Sequence, residues 1–506
     1  MRDDVSAPPA VASPDATESA TPAATPRVRL AVAGCTVLAF VLGSWHLQHR
    51  SLSHEEAFTW AVVDQSFPAL VSALVRHEGY QMLHALVLWP LNRVSSTVGV
   101  LRLPSVVAFA AAVPAVWLAG RKLFDDRVAL LAALLFALNG FALDYGQEAR
   151  GYMLATALCA WSAAFLAVYA LGSERRGARV GWIAFGALAI YAHGFAVLAV
   201  GAQVLALWFL PAERRRELHW IRNGALIALC AAPAILAPML QVNSTSLGTN
   251  SRFGMNELKG LVWALAGRTA TAVPSIGLGV VIALVVALGV ARRGLHSTDA
   301  FRFALVILWA LLPTVVLASW SFFYPVWLER YVIWSVTAVV LLAAYGLTRI
   351  APAGSKLAVV VVVLAAALSV RGVVKWYSAP PDQDWRSAMV DVTTRARPGD
   401  SIIFSPDEVR LSADFFLRSR SDVDRLTPAF PSQPWGHFHT GDEKIKPVPQ
   451  SVIDALLAHP TGRVWFVTYT MPTVNTARVN ELLARYEVVS DREYVGPVEV
   501  KLLTPR

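Results

Sequence analysis

The sequence predicts a polytopic α-helical membrane protein of about eleven spans, up to thirteen, followed by a small α/β domain outside the membrane. Three observations carry that expectation. Of 506 residues, 56% are hydrophobic and only 16% charged, where soluble domains run near a quarter charged. Long uncharged runs recur as far as residue 376, most of them near the ~20 residues that a bilayer crossing needs. Beyond residue 377, charges and turn residues return. The 44 Lys and Arg against 35 Asp and Glu do not indicate nucleic-acid binding. Much of the basic excess sits in short clusters between apolar runs, where it orients helices in a bilayer. Cys35, Cys159 and Cys230 lie inside those runs, so they suit neither a disulfide framework nor a zinc site.

Residues 1–26 hold five prolines and no aromatic residue, and read as a disordered cytoplasmic tail. No charged leader with a cleavage site is visible, so the first apolar run, about 28–46, is expected as a retained anchor. Further spans are expected at about 101–120, 127–143, 150–171, 181–211, 221–241, 275–291, 303–323, 327–348 and 356–376. The run 181–211 is too long for one crossing and has basic clusters at both ends. Two short crossings meeting near Tyr191-Ala-His193-Gly194 satisfy both clusters, with glycine supplying the turn. With the tail inside, Arg121, Lys122, Arg127, Arg175, Arg176, Arg179, Arg214, Arg215, Arg216, Arg222, Arg292, Arg293, Arg302, Arg349 and Lys356 all fall on the cytoplasmic side. Eleven crossings then place residues 377–506 outside a plasma membrane.

Two external segments are long. The first, 47–100, contains the apolar stretch 82–94, expected as a helix lying along the interface. The second, 242–274, holds a polar loop and an apolar piece, 261–266, too short to cross. In the terminal region a helix is expected over 384–396, with strands at 401–404, 463–467 and 498–503. Trp385, Trp435 and Trp465 there suit stacking on sugar rings, with core packing the plainer role for Trp465.

Ionisable groups at a membrane face are functional candidates, because desolvating them is costly. Ser53-His54-Glu55-Glu56-Ala57 follows the first span; its paired acids suit a general base, cation ligands, or simply a charged border ending a helix. Asp144-Tyr-Gly-Gln-Glu148-Ala-Arg150-Gly-Tyr152 makes a turn with two acids and an Arg, suited to a hydroxylated acceptor and a phosphate or to an internal salt bridge. Glu329-Arg330-Tyr331 enters the tenth span, and His193 lies between the two short crossings. Positive charge alone set the sidedness, yet Glu55, Glu148, Arg150, His193 and Arg330 all fall on one face.

The combination Ser51-Leu-Ser-His-Glu55-Glu56-Ala-Phe-Thr-Trp60, Leu101-Arg-Leu-Pro-Ser105, Gly120-Arg-Lys-Leu-Phe124 and Tyr145-Gly-Gln-Glu-Ala-Arg-Gly-Tyr152 resembles the GT-C membrane glycosyltransferases. The nearest group is the family 39-related enzymes: protein O-mannosyltransferases, lipid A aminoarabinose transferases and bacterial mannosyltransferase-like proteins. The resemblance covers roughly 28–350 and is strongest over 50–155; Arg330-Tyr331 and Asp384-Trp-Arg386 add weaker matches. It implies that 27–376 is a catalytic transmembrane domain moving a sugar from a polyprenyl-phosphate donor to an external hydroxyl on a glycan, lipid or protein. Mannose is the first expectation and an arabinose-type pentose the next.

The family's Asp-Glu pair falls on Glu55 and Glu56, so the resemblance makes these the catalytic pair and Glu55 the base. It implies donor-phosphate roles for Arg150, Arg330 and Tyr331, and acceptor or sugar contacts for Asp144, Glu148, His84 and His193. Two departures stand out. Tyr80-Gln81-Met82-Leu83 replaces a Pro-Pro-Leu-Tyr-like stretch, and His84 falls where a donor-side aromatic often sits. No metal ligand set is indicated, and a divalent metal stays open. Nucleotide sugars are disfavoured as donors, because the site faces outside and no glycine-rich phosphate loop opens a helix. A transporter or flippase of lipid-linked precursors is the rival from another class, but it needs charges or broken helices near the midplane.

Overall fold

A computed structural model of the chain describes residues 24–506 apart from 77–78, 173–174, 241–250, 419, 437, 439–447, 459–461 and 470–475. Most of the expected tail 1–26 and part of the polar loop within 242–274 lie outside the described residues.

Helix α1 (Pro26–Ser44) is capped by Thr25, whose hydroxyl accepts from Val28 N. The first long segment then makes α2 (His54–Val63), α3 (Phe67–Arg76) and α4 (Met82–Val94), the last at the position expected for an interfacial helix. A long α5 (Val98–Leu123) leads to α6 (Asp126–Ala137) and α7 (Gly140–Gly146), which meet at a 58° bend. Asn139 makes that bend by accepting from Phe141 N and Ala142 N, which starts a new helix. After α8 (Tyr152–Leu171), the run 181–211 divides as expected, into α9 (Arg175–Ala192) and α10 (Ala196–Ala206), with His193 and Gly194 at the break. There follow α11 (Ala212–Glu217), α12 (Trp220–Leu240), α13 (Met255–Leu265), α14 (Val273–Arg293), α15 (Thr298–Ser321), α16 (Ser335–Leu347) and α17 (Lys356–Ser378).

The chain is a multi-pass membrane protein by these helices. Among the described residues, seven are long and apolar enough to cross, or eight when the bent pair counts as one. The expected eleven also require α9, α16 and the segment Ala196–Phe209, which are shorter or flanked by charge. Of the long helices α8 and α5 are the most enclosed, and α1, α14 and α17 the least. One extended core of Ala, Leu, Val and aromatic side chains joins α5, α6, α8, α9, α10 and α16.

The rest of the chain builds a sheet domain from α18 (Trp385–Arg395), β1 (Asp400–Ser405), α19 (Val409–Leu417), β2 (Leu426–Phe430), α20 (Gln450–Ala458), β3 (Val464–Tyr469), α21 (Thr476–Arg485), β4 (Tyr486–Tyr494) and β5 (Val498–Pro505). The strand order is β2-β1-β3-β5-β4, with β1 parallel to both neighbours and β5 antiparallel to both of its own. Alternation sorts the core: Ile402, Phe404, Trp465 and Val467 face α18 and α19, while Ile403, Val464 and Phe466 face α20 and α21. Strands β1, β3 and β5 coincide with the expected ones. The sequence reading missed β2 and β4, the two edges, which carry Pro428 and a run of charges instead of an apolar stretch.

This domain is not separate from the first long segment. Leu411, Phe415 and Phe438 share a buried cluster with Leu52, Trp60 and Leu88. Arg386 donates to the carbonyls of Gln48 and His49 at 2.8 and 3.3 Å. Arg418 donates to Ser96 O at 2.7 Å and lies over the Trp60 ring.

Candidate active site

Ser53 starts α2 by accepting from Glu56 N at 3.2 Å, and the Glu56 carboxylate accepts from Ser53 N at 2.9 Å in return. That reciprocal cap points Glu56 inward and leaves Glu55, one residue earlier and about 100° round the helix, on another face. The two adjacent acids therefore have different surroundings.

Glu56 is buried against Arg102 of α5. Arg102 Nε donates to Oε1 at 2.8 Å and Nη2 to Oε2 at 2.7 Å. Ala149 N fills a further site on Oε1 at 2.8 Å. The other Arg102 N–H groups reach the carbonyls of Leu47, Arg50 and Ser51 at 2.9, 3.2 and 3.0 Å. All five guanidinium donors and four carboxylate acceptor sites are thus occupied. Burial disfavours the Glu56 charge, but Arg102 and the backbone N–H groups outweigh it and hold its pKa below the usual carboxylate range. Protein donors thus fill the acceptor sites of Glu56, whereas Glu55 keeps part of its carboxylate exposed.

Glu55 has 39% of its side chain exposed. Arg330 spans it in a fork, Nη2 to Oε1 at 2.6 Å and Nη1 to Oε2 at 3.1 Å. Burial works against the Glu55 charge, but Arg330 and then Arg150 outweigh it and keep the carboxyl below its ordinary value. Arg330 is on the 3₁₀ turn Glu329–Val332 and also lies over the Tyr152 ring at 5.7 Å. Arg150, in the turn between α7 and α8, donates to Glu55 O, Thr59 Oγ1 and Tyr80 Oη at 3.3, 3.3 and 3.2 Å. Those contacts hold α2 against the bundle.

Asp144 sits on α7 and pairs with Arg268, which also donates to Glu329 at 3.0 Å. Arg268 was missed by the sequence reading, being a lone Arg after the short helix α13 with no motif around it. Its position depends on glycines: a Cβ at Gly140 or Gly372 would lie 2.6 or 2.3 Å from Gly267 O, and Gly267 itself has φ +90°. Glu148, between α7 and α8, has no ion pair among the described residues. Burial, and then the charge of Glu55, push its carboxyl well above its ordinary value.

The remaining expected contacts are enclosed. His193 is buried among Tyr152, Tyr331 and Trp334, at ring distances of 4.9, 5.8 and 5.6 Å, and accepts from Phe195 N. Tyr331 packs on Phe195 at 5.0 Å and lies 6.4 Å from the Tyr152 ring. His84 is buried beside a cavity of about 20 Å³ lined also by Thr59, Gln81 and Arg150, too small for a sugar ring. Trp385 and Trp465 are fully buried in the sheet domain, which removes them as exposed stacking platforms, and Trp435 is half-buried under Arg410. Among the described residues no three His, Cys, Asp or Glu side chains gather as a metal ligand set.

The sheet domain closes the site at the start of α2. His54 N donates to Gln383 Oε1 at 2.7 Å, and the His54 ring contacts Ser412 Oγ at 3.3 Å and stacks near Tyr469. Gln383 in turn donates to Tyr469 Oη at 3.1 Å. The carboxyl end of β3 thus lies beside His54, the residue before Glu55.

No protein-family model matches the chain, and no curated protein sequence matches it. Solved structures do. The crystal structure of ArnT from Cupriavidus metallidurans bound to undecaprenyl phosphate covers 95% of this chain and 98% of its own, with TM-score 0.59 and 14% identity. A crystal structure of the Archaeoglobus fulgidus oligosaccharyltransferase in complex with Zn and sulfate covers 93% of this chain and 72% of its own, with TM-score 0.53 and 12% identity. At these identities the likeness is one of fold, and the chain has the GT-C fold that its motifs resemble.

Proposed function

We propose that the chain is an inverting glycosyltransferase of the external membrane face, in cell-envelope glycan or glycoconjugate synthesis. It would take a sugar, mannose first and an arabinose-type pentose second, from a polyprenyl-phosphate donor to a hydroxyl acceptor. The observation that carries this reading is the half-exposed Glu55 carboxylate forked to Arg330 at one end of the bundle. It is supported by the shared fold with an ArnT bound to undecaprenyl phosphate. In the reaction, Glu55 takes the acceptor's hydroxyl proton as that oxygen bonds to the anomeric carbon. The bond from that carbon to the phosphate oxygen breaks on the opposite face, and polyprenyl phosphate leaves with the electron pair. Arg330, with Arg268 behind Glu329, balances the charge that grows on the leaving phosphate. Arg150 positions α2, and the same reading has eleven crossings with the sheet domain outside.

General base catalysis contributes typically ~10²–10⁴ in rate. Glu55→Gln should therefore lower turnover by about that factor, while Glu55→Asp keeps measurable transfer. The assay is transfer from a polyprenyl-phosphate sugar by purified protein, with mass spectrometry of envelope glycans in a gene-deleted strain to find the acceptor. Parental activity in Glu55→Gln would end the general-base reading.

A further inference from the structure

The Glu55–Arg330 fork poses a chemical problem for the reaction just proposed. A base must be free to accept a proton, yet both Glu55 oxygens are bonded to one guanidinium, at 2.6 and 3.1 Å. A phosphate-binding arginine must likewise present its N–H fork, and here that fork faces the carboxylate. We infer that Arg330 is a shared group, holding Glu55 while the site is empty and passing to the donor's phosphate when the lipid binds, so that the base is released only with the donor in place. This rests on the transferase reading above.

Three features of the site favour such a hand-over. Among the described residues Arg330 makes the hydrogen bonds to the Glu55 carboxylate, whereas Glu56 next to it is held by Arg102 and two backbone N–H groups. Glu55 can therefore swing away without breaking a network, and Glu56 cannot. Among the described residues Arg330 Nε is buried with no hydrogen-bond partner, so the guanidinium has donor capacity that Glu55 does not use. A phosphate presents the same pair of oxygens to the fork as a carboxylate does and can replace it edge for edge.

The exchange also orders the reaction. The donor phosphodiester carries one negative charge, and the leaving monoester carries ≈ −1.5 to −2 at neutral pH. Arg330 thus holds the phosphate more strongly as the sugar departs. Glu55, neutralised by the acceptor proton at that moment, does not compete for it. Once Glu55 loses that proton it competes again for Arg330 and helps expel the product. Acceptor deprotonation before the donor arrives is suppressed, because Glu55 is then tied to Arg330.

The test is a binding titration with undecaprenyl phosphate on the full-length protein in nanodiscs, using the parent, Glu55→Gln, Glu55→Ala, Arg330→Gln and the double variant Glu55→Gln/Arg330→Gln. If Glu55 and phosphate compete for one guanidinium, removing the Glu55 charge strengthens phosphate binding even as it lowers turnover. Couplings between sites typically span ~5- to 150-fold, and both Glu55 variants should tighten Kd by about fivefold or more. In the Arg330→Gln background the same change should alter Kd by less than about twofold. Equal or weaker binding by both Glu55 variants would overturn the hand-over and leave the transferase reading intact. Tightening that persists without Arg330 would also overturn it, as a general charge effect. A parent that binds no undecaprenyl phosphate would remove both.

Discussion

Glu148 tests how finely the site separates its carboxyls. Burial and the Glu55 charge hold it toward the neutral form, so it can donate a hydrogen bond to a sugar but is a poor proton acceptor. An amide reproduces that neutral shape. Glu148→Gln should keep kcat within about tenfold of the parent, ~1.4 kcal/mol of barrier, where Glu55→Gln falls by orders of magnitude. An equally deep loss would mean that Glu148 works ionised. The neighbouring acid fails differently: Glu56→Gln leaves Arg102 buried with half a partner, and breaking such a pair costs about 3–5 kcal/mol. Its thermal unfolding midpoint should drop clearly, and an unchanged midpoint would show the Arg102 network to be dispensable. Much of this was legible in the sequence. Glu55, Arg150 and Arg330 stood out as interface charges, and the Ser53-x-x-Glu56 spacing is a capping signal. What separates Glu56 from Glu55 is Arg102, 46 residues away, and no local pattern announces that. Arg268 was invisible for the same reason, since Asp144, Glu329 and a cluster of glycines define it only in space.

At the scale of elements, α2 docks against α19 and β3 through His54, next to the base. His54 and Glu408 approach to 3.9 Å there. Burial pushes His54 down to about 4, so near neutral pH the imidazole is uncharged and the contact is not an ion pair. Burial, then Asp407, pushes Glu408 up to about 7 from an ordinary 4.5. A carboxyl whose folded value is raised costs nothing below its unfolded value. Its penalty grows between about 4.5 and 7 and is complete above that. Parent protein should therefore lose thermal stability between pH 5 and pH 8, and Glu408→Gln should lose distinctly less. A parallel decline in both, measured in one detergent, would place the pH response elsewhere. None of this docking could be read beforehand, because pairing a helix near residue 54 with strands near 405 and 469 depends on how the whole chain closes.

For the whole molecule, the eleven crossings proposed above bring the segments around Glu55 to one face. Glu55 follows α1, so it defines one face, and every segment that touches its surroundings must return to that face. Arg150, after the bent α6–α7 pair, donates to Glu55 O. Gly194 N, between α9 and α10, donates to Tyr80 O at 3.0 Å. Arg268, between α13 and α14, pairs with Asp144 and Glu329, and Arg330, between α15 and α16, grips Glu55. The sheet domain after α17 meets the start of α2 through Gln383. In the proposed topology each return takes one outward and one inward crossing, and five returns after α1 make eleven. Seven crossings would put Arg150 opposite Glu55, and eight would put the sheet domain opposite α2. The proposal requires the short helices α9 and α16, with Ala196–Phe209, to cross as well. Single-cysteine labelling in a cysteine-free background should find Arg176 and Arg293 positions reactive only from the cytoplasm. Positions near 194 and 325 and the C-terminus should react only from outside. A cytoplasmic C-terminus would break the count and, with it, the joint placement of the sheet domain and Glu55.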